Sequence, residues 1–130
     1  MNPELASLVW VSTFTALLWI PYVLNRMMVV GIGGTVGYPV DPPPLSPWAQ
    51  RLRAAHSNAV ENLVVFAALI VAAQFLGLSN AVTIAASSLY LWSRILHAVA
   101  YTLGISWVRT LAFVGGFGAQ MMIAWQLLAA

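Results

Sequence analysis

Long apolar runs, separated by short polar or breaker-rich segments, organise this chain. A helix needs roughly 20 apolar residues to cross the hydrocarbon core of a bilayer. Four runs meet that length, and the pattern predicts helices over about 5–28, 47–75, 81–103 and 107–128. Pro21 falls inside the first run and predicts a kink there, because proline removes one backbone donor. The segment of about 31–46 holds Gly31, Gly33, Gly34 and Gly37 and then Pro42-Pro43-Pro44. It reads as a loop whose last part is extended. Ser46 is a good N-cap for the second helix, and Pro47 suits the first helical position. Gly77 to Asn80 and Gly104 to Ser106 read as turns. The expected fold is all-α: one integral membrane four-helix bundle spanning residues 1–130.

Composition fixes the solvent. Of the 130 residues, 62% are hydrophobic and 6% charged, against about 25% charged in soluble domains. So few charges cannot cover a surface that faces water, and lipid is the expected environment. The net charge of +2 rests on arginines alone, with no lysine. A basic patch tracking phosphates is not expected, and neither is a nucleic-acid partner. Cysteine is absent, which removes disulfides, thiolate metal sites and cysteine nucleophiles. His56 and His97 lack metal-ligand spacing, so no metal is expected. The stretch GIGGTVG follows a helix rather than a strand and does not fit a phosphate loop. Before Arg26 the only charge is Glu4, and the apolar run Leu5 to Leu24 is too long for a signal peptide; a retained helix is expected.

Charge placement gives an orientation. Arg26, Arg51 and Arg53 flank the first loop, while Arg94 and Arg109 lie toward the third. With four spans, those loops share one face. The positive-inside rule places that face in the cytoplasm and both termini outside.

Polar side chains inside a membrane helix are costly, about 2.5–3.5 kcal/mol for a charge at the helix centre on insertion scales. At about 100° per residue, Arg51, Asn58 and Asn62 share one stripe of the second helix, with Glu61 at its edge. Arg53 and His56 lie on another side. Ser87, Tyr90, Arg94, His97 and Tyr101 form a stripe on the third helix. The two stripes should face each other or a shared cavity. A purely structural use also fits: Glu61 and Arg94 as an ion pair that sets register, with Asn58 and Asn62 as interhelical hydrogen-bonding groups. Gly115, Gly116, Gly118 and Ala119 read as small-residue packing on the fourth helix.

The stretch RAAHSNAVENLVVF, Arg53 to Phe66, resembles the second-helix signature of the membrane-associated proteins in eicosanoid and glutathione metabolism, the MAPEG family. Its core is an Asn followed three residues later by Glu, here Asn58 and Glu61, with an Arg seven before the Asn, here Arg51. RILHAVAY, Arg94 to Tyr101, resembles the third-helix segment of the prostaglandin E synthase branch, and Arg109 matches an Arg that begins the fourth helix. One position departs: family members usually carry an Arg four before the Asn, where this chain has Ala54. The resemblance, to a bacterial-type member, implies a multi-pass protein of the bacterial inner membrane. It also implies a homotrimer that binds glutathione between subunits near the cytoplasmic side and takes lipophilic substrates from the bilayer. The implied activities are glutathione transfer, peroxide reduction and isomerisation; some members only bind.

Glutathione carries two carboxylates, an ammonium and a thiol. Arg51 and Arg94 suit the carboxylates. Glu61 suits the ammonium, and Asn58 and His97 can supply hydrogen bonds. A cysteine-like thiol titrates near ~8.5, and lowering that by ~2 units takes about 2.7 kcal/mol. A cation at ~4 Å in an effective dielectric near 20 offers roughly 4 kcal/mol. By resemblance Arg109 is that cation, with Tyr101 second, so these two are the candidate catalytic residues. A glutathione-dependent transferase or peroxidase acting on lipophilic electrophiles leads. The alternatives are a non-catalytic ligand-binding or scaffold protein of the same fold, and a small exporter using Glu61, whose arginine-rich surroundings argue against that use.

Overall fold

The computed structural model describes all 130 residues and contains five helices and no strand. They are α1 (Pro3–Leu17), α2 (Trp19–Val36), α3 (Pro47–Phe75), α4 (Ala81–Leu103) and α5 (Ser106–Leu128). The first apolar run is therefore two helices that meet at Leu18. Pro21 explains the break: it has no N–H to give the Leu17 carbonyl one turn earlier. The Leu18 N–H bonds instead to the Thr15 carbonyl at 3.3 Å, tightening the last turn of α1.

Two local expectations are corrected. Helix continues past Gly31 to Val36, where a loop was expected to begin, with Gly31 itself bent to φ 74°, ψ 173°. Only glycine adopts that conformation readily, so the residue that looked like a stop acts as a bend. Ser46 makes no side-chain cap for α3. Its hydroxyl accepts from Asn25 Nδ2 at 2.9 Å, and its N–H donates to Asn25 Oδ1 at 3.0 Å. The serine is spent on tying the loop to α2.

The α3–α4 turn closes with a reciprocal cap. Asn80 Oδ1 accepts from the N–H groups of Val82 and Thr83, and the Asn80 N–H donates to Thr83 Oγ1 at 2.9 Å. α4 ends at Gly104, whose φ of +79° is left-handed. Gly104 N–H bonds to the Tyr101 carbonyl and Ile105 N–H to the Ala100 carbonyl, the paired closure that favours glycine here. A Cβ at Gly104 would also stand 3.6 Å from the Arg51 guanidinium carbon. Gly104→Val should therefore lower stability by at least about 1–2 kcal/mol, the cost of a left-handed non-glycine residue. Thermal denaturation in detergent would measure it; an unchanged melting temperature would contradict this account of the turn.

α4 is the central element, packed against α1, α3 and α5. Val11, Phe66, Ile70, Ala86, Tyr90, Ala119 and Ile123 form the main core. Phe66 and Tyr90 stack with ring centroids 3.9 Å apart. A smaller cluster of Leu18, Leu52, Ala59 and Ala98 lies nearer the arginine-rich end. Large apolar side chains face outward along every helix, among them Trp10, Val64, Phe75, Trp92 and Trp125. That inversion is expected where the surroundings are hydrocarbon. Pro3–Val36, Pro47–Phe75 and Ser106–Leu128 are each long and apolar enough to cross a membrane. α4, with 23 residues, is as long as α5 but carries the polar stripe. The chain is an all-α, multi-pass membrane protein with three to four spanning helices.

Candidate functional site

The polar stripes of α3 and α4 meet at the end of the bundle that carries the arginines. Arg51 lies one turn into α3, and its Nε donates to the Thr102 carbonyl at 2.9 Å. It thus satisfies one of the carbonyls left open where α4 ends, and its terminal nitrogens remain available. Across the α4–α5 turn, the Arg109 guanidinium carbon lies 4.9 Å from the Tyr101 ring centroid, a cation–π contact that orients both side chains. His97 meets the Tyr101 ring edge-on at 5.6 Å between centroids.

Two adjoining hollows follow from these contacts. One, of about 330 Å3, is lined by Asn58, His97, Tyr101, Arg109, Thr110 and Phe113. The other, of about 290 Å3, is lined by Arg51, Tyr101 and Arg109 with Gly104, Ile105 and Ser106. Tyr101 and Arg109 belong to both. The hollows hold two guanidinium groups, an amide, an imidazole and a phenol, with no carboxylate in either lining. Such a site favours an anion that also accepts hydrogen bonds.

Arg94 lies beneath these hollows rather than in them. It is 3% exposed, and its Nη2 donates to Asn58 Oδ1 at 2.6 Å. Gly116 makes room for it, since a Cβ there would stand 3.4 Å from Arg94 Cδ. Gly115 faces Ser93 more closely still, a Cβ there standing 2.9 Å from Ser93 Oγ, so these two glycines do serve packing, whereas Gly118 opens onto free space. Glu61 is exposed and lies outside both hollows; the Glu61–Arg94 ion pair considered as a structural alternative is replaced by the Arg94–Asn58 bond. Asn62 turns back along its own helix, donating to the Asn58 carbonyl at 2.9 Å. Ala54 is exposed, and the neighbouring Arg53 lines a different hollow from Arg51. His56 accompanies neither stripe: its Nδ1 is 2.8 Å from the Tyr22 hydroxyl on α2.

Of the residues expected at the site, Arg51, Asn58, His97, Tyr101 and Arg109 are brought together, Arg94 supports them from below, and Glu61 stands apart. Gln120 was missed. It is 3% exposed and donates from Nε2 to the Asn62 carbonyl at 3.0 Å, joining α5 to the polar stripe of α3. An amide in an otherwise apolar span carries its own cost in a membrane, and that signal was available. Thr110 and Phe113, both exposed, follow Arg109 on α5 and line the same hollow; they carry no sequence signal of their own. At this end of the bundle two buried nitrogens, Arg94 Nε and His97 Nδ1, lack a partner within the chain.

The MAPEG family model matches residues 8–129. The chain belongs to the MAPEG family. No curated protein and no solved structure matches it. The MAPEG match runs from α1 to the end of α5, so every residue of the polar end falls inside it. Membership agrees with the all-α, multi-pass membrane architecture.

Proposed function

We propose that this MAPEG protein is a glutathione-dependent transferase or peroxidase acting on lipophilic electrophiles. The observation that carries the reading is the pair of adjoining hollows that share Tyr101 and Arg109. They offer cations for carboxylates and hydrogen-bonding groups for a peptide, at the end of a bundle whose sides are apolar.

Arg51 and Arg109 hold the carboxylates and the sulfur end of glutathione, and Asn58 and His97 bond its peptide groups. Arg94 keeps the Asn58 amide turned toward the hollow. The unpartnered Nδ1 of His97 is one of the donors or acceptors a bound peptide would satisfy. Arg109 stabilises the thiolate as the nucleophile forms, and Tyr101 donates a hydrogen bond to the same sulfur. The lipophilic partner arrives through the bilayer and meets the sulfur at the Phe113 side of the hollow. The arginine-rich end faces the cytoplasm, both termini lie outside, and the host membrane is a bacterial inner membrane. Calorimetric titration of the purified protein with glutathione tests the reading: saturable binding supports it, and no binding to the native protein overturns it.

The assembly belongs to the same proposal. Glu61 is exposed and lies one turn from Asn58, which lines the first hollow. A neighbouring subunit covering that face would bring Glu61 to the glutathione ammonium and complete the site. Four spanning helices and a homotrimer are therefore expected. Native mass spectrometry from mild detergent should show three copies; monomers or dimers alone would contradict it.

A further inference from the structure

A third polar hollow, of about 370 Å3, lies away from the site. Arg26, Gln50 and Arg53 line it, against a wall of Pro42-Pro43-Pro44. It holds two guanidinium groups and no carboxylate. Each guanidinium is a planar fork of donors whose geometry matches phosphate oxygens.

The hollow is built rather than incidental. The reciprocal bonds between Asn25 and Ser46 fasten the end of the proline segment to α2, next to Arg26. Gln50 Nε2 donates to the Leu45 carbonyl, and Leu45 is 6% exposed, which pins the same segment to α3. Three consecutive prolines restrict the wall further. The two arginines are thus presented by anchored elements.

Depth selects the ligand. Arg26 follows Pro3 by 23 residues, at most about 35 Å along the bent α1–α2 path at ~1.5 Å per residue. Arg53 precedes Phe75 by 22 residues, about 33 Å on the same rise. Both distances slightly exceed the ~30 Å hydrocarbon core, so the two cations stand at headgroup level on one side. Trp48, 39% exposed at the start of α3, marks the same interface. Met28 and Ile32 on the adjoining turns of α2 are exposed and apolar, as contact with acyl chains requires.

We propose that the Arg26–Arg53 hollow binds the phosphate of an anionic phospholipid headgroup from the leaflet on the arginine-rich side. Basic pockets between membrane helices recognise such headgroups by this combination of cations and depth. The site is independent of the glutathione reading, since Arg51 and Arg109 line other hollows.

The test uses the full-length protein in mild detergent, equilibrated with equal amounts of phosphatidylglycerol and phosphatidylcholine, and read by native mass spectrometry. Phosphatidylglycerol should be retained several-fold over phosphatidylcholine. Arg26→Gln/Arg53→Gln should bring retention down to the phosphatidylcholine level, while Arg26→Lys/Arg53→Lys keeps most of it; circular dichroism verifies helicity in each. Equal retention of the two lipids, or unchanged retention in the glutamine variant, overturns the proposal. Inorganic phosphate supplies the second arm, compared with chloride at matched ionic strength. Phosphate that raises the melting temperature of the native protein but not of the glutamine variant would mean a soluble ligand, and would overturn the lipid assignment. Glutathione should leave the retained lipid in place; displacement would put Arg26 and Arg53 in the glutathione site and also refute the proposal.

Discussion

Arg94→Ala is expected to weaken glutathione binding by about 1.5–3 kcal/mol, the range for a hydrogen bond to a charged group, or roughly 10- to 150-fold in Kd. The effect is large because Arg94 is 3% exposed and its bond to Asn58 Oδ1, at 2.6 Å, crosses from α4 to α3. Alanine leaves that amide oxygen without its donor and opens space beneath the hollow beside Gly116. Asn58 then turns, and a peptide loses a hydrogen-bonding partner that had been held in place. A role in helix packing alone would lower the melting temperature and leave the affinity of the folded protein intact. Two measurements on the same variant separate these cases: a titration and a thermal melt. Affinity within about twofold of the native value, in a folded variant, would remove Arg94 from the binding account. Asn58→Ala should reproduce most of the affinity loss if Arg94 works through Asn58, and the double variant should add little to either, as expected for residues in direct contact.

Why Arg94 was legible as a site residue but not as a supporting one is a matter of angle and depth. Helical spacing put Arg94, His97 and Tyr101 on one face of α4, and they do share that face. Spacing says nothing about how far each side chain lies from the end of the bundle. Tyr101 sits by the terminal turn and reaches the open hollows, whereas Arg94, about two turns deeper, meets α3 and α5. Asn58 and Arg51 were legible for the same reason, since a stripe of polar groups in an apolar helix must find partners. The two halves of the first span were less so. Pro21 announced a kink, and Leu18 keeps helical φ −66° and ψ −22° across it, so the run is one bent span from Pro3 to Val36. Gly31 pointed toward a loop because glycine is a weak helix former; its isolated positive φ permits a bend between helical segments equally well. Ser46 had the right identity for a cap and lost that role to a tertiary partner, Asn25, which sequence proximity could not reveal. Glu4 shows the same limit. It reads as a terminal charge, yet it is fully buried, with one carboxylate oxygen accepting from Ser79 and Thr83, both at 2.7 Å, some 75 residues away in the chain.

Arg109→Leu should lower turnover toward a model electrophile by roughly 10- to 100-fold, for a lost stabilisation of about 1.4–2.7 kcal/mol. Arg109 lines both hollows and rests 4.9 Å from the Tyr101 ring. It is the cation placed where either hollow can present a sulfur to it. A cation favours the thiolate over the thiol, so its loss acts on the reactive form and spares binding of the neutral thiol. The sign follows directly: with Arg109 present the bound thiol ionises at lower pH, and in the leucine variant the thiolate absorbance of the complex should appear at higher pH. Turnover measured across pH should move with it, so that part of the lost rate returns as the pH rises. Loss of the Tyr101 contact is a second consequence, and Tyr101→Phe isolates it: the ring stays under the guanidinium while the phenol donor is removed. A phenylalanine variant near native turnover would assign the thiolate to Arg109 alone. If instead Arg109→Leu leaves the ionisation midpoint of the bound thiol where it was, Arg109 serves as a headgroup anchor for the start of α5, and thiol activation must be sought among the other groups of the hollows.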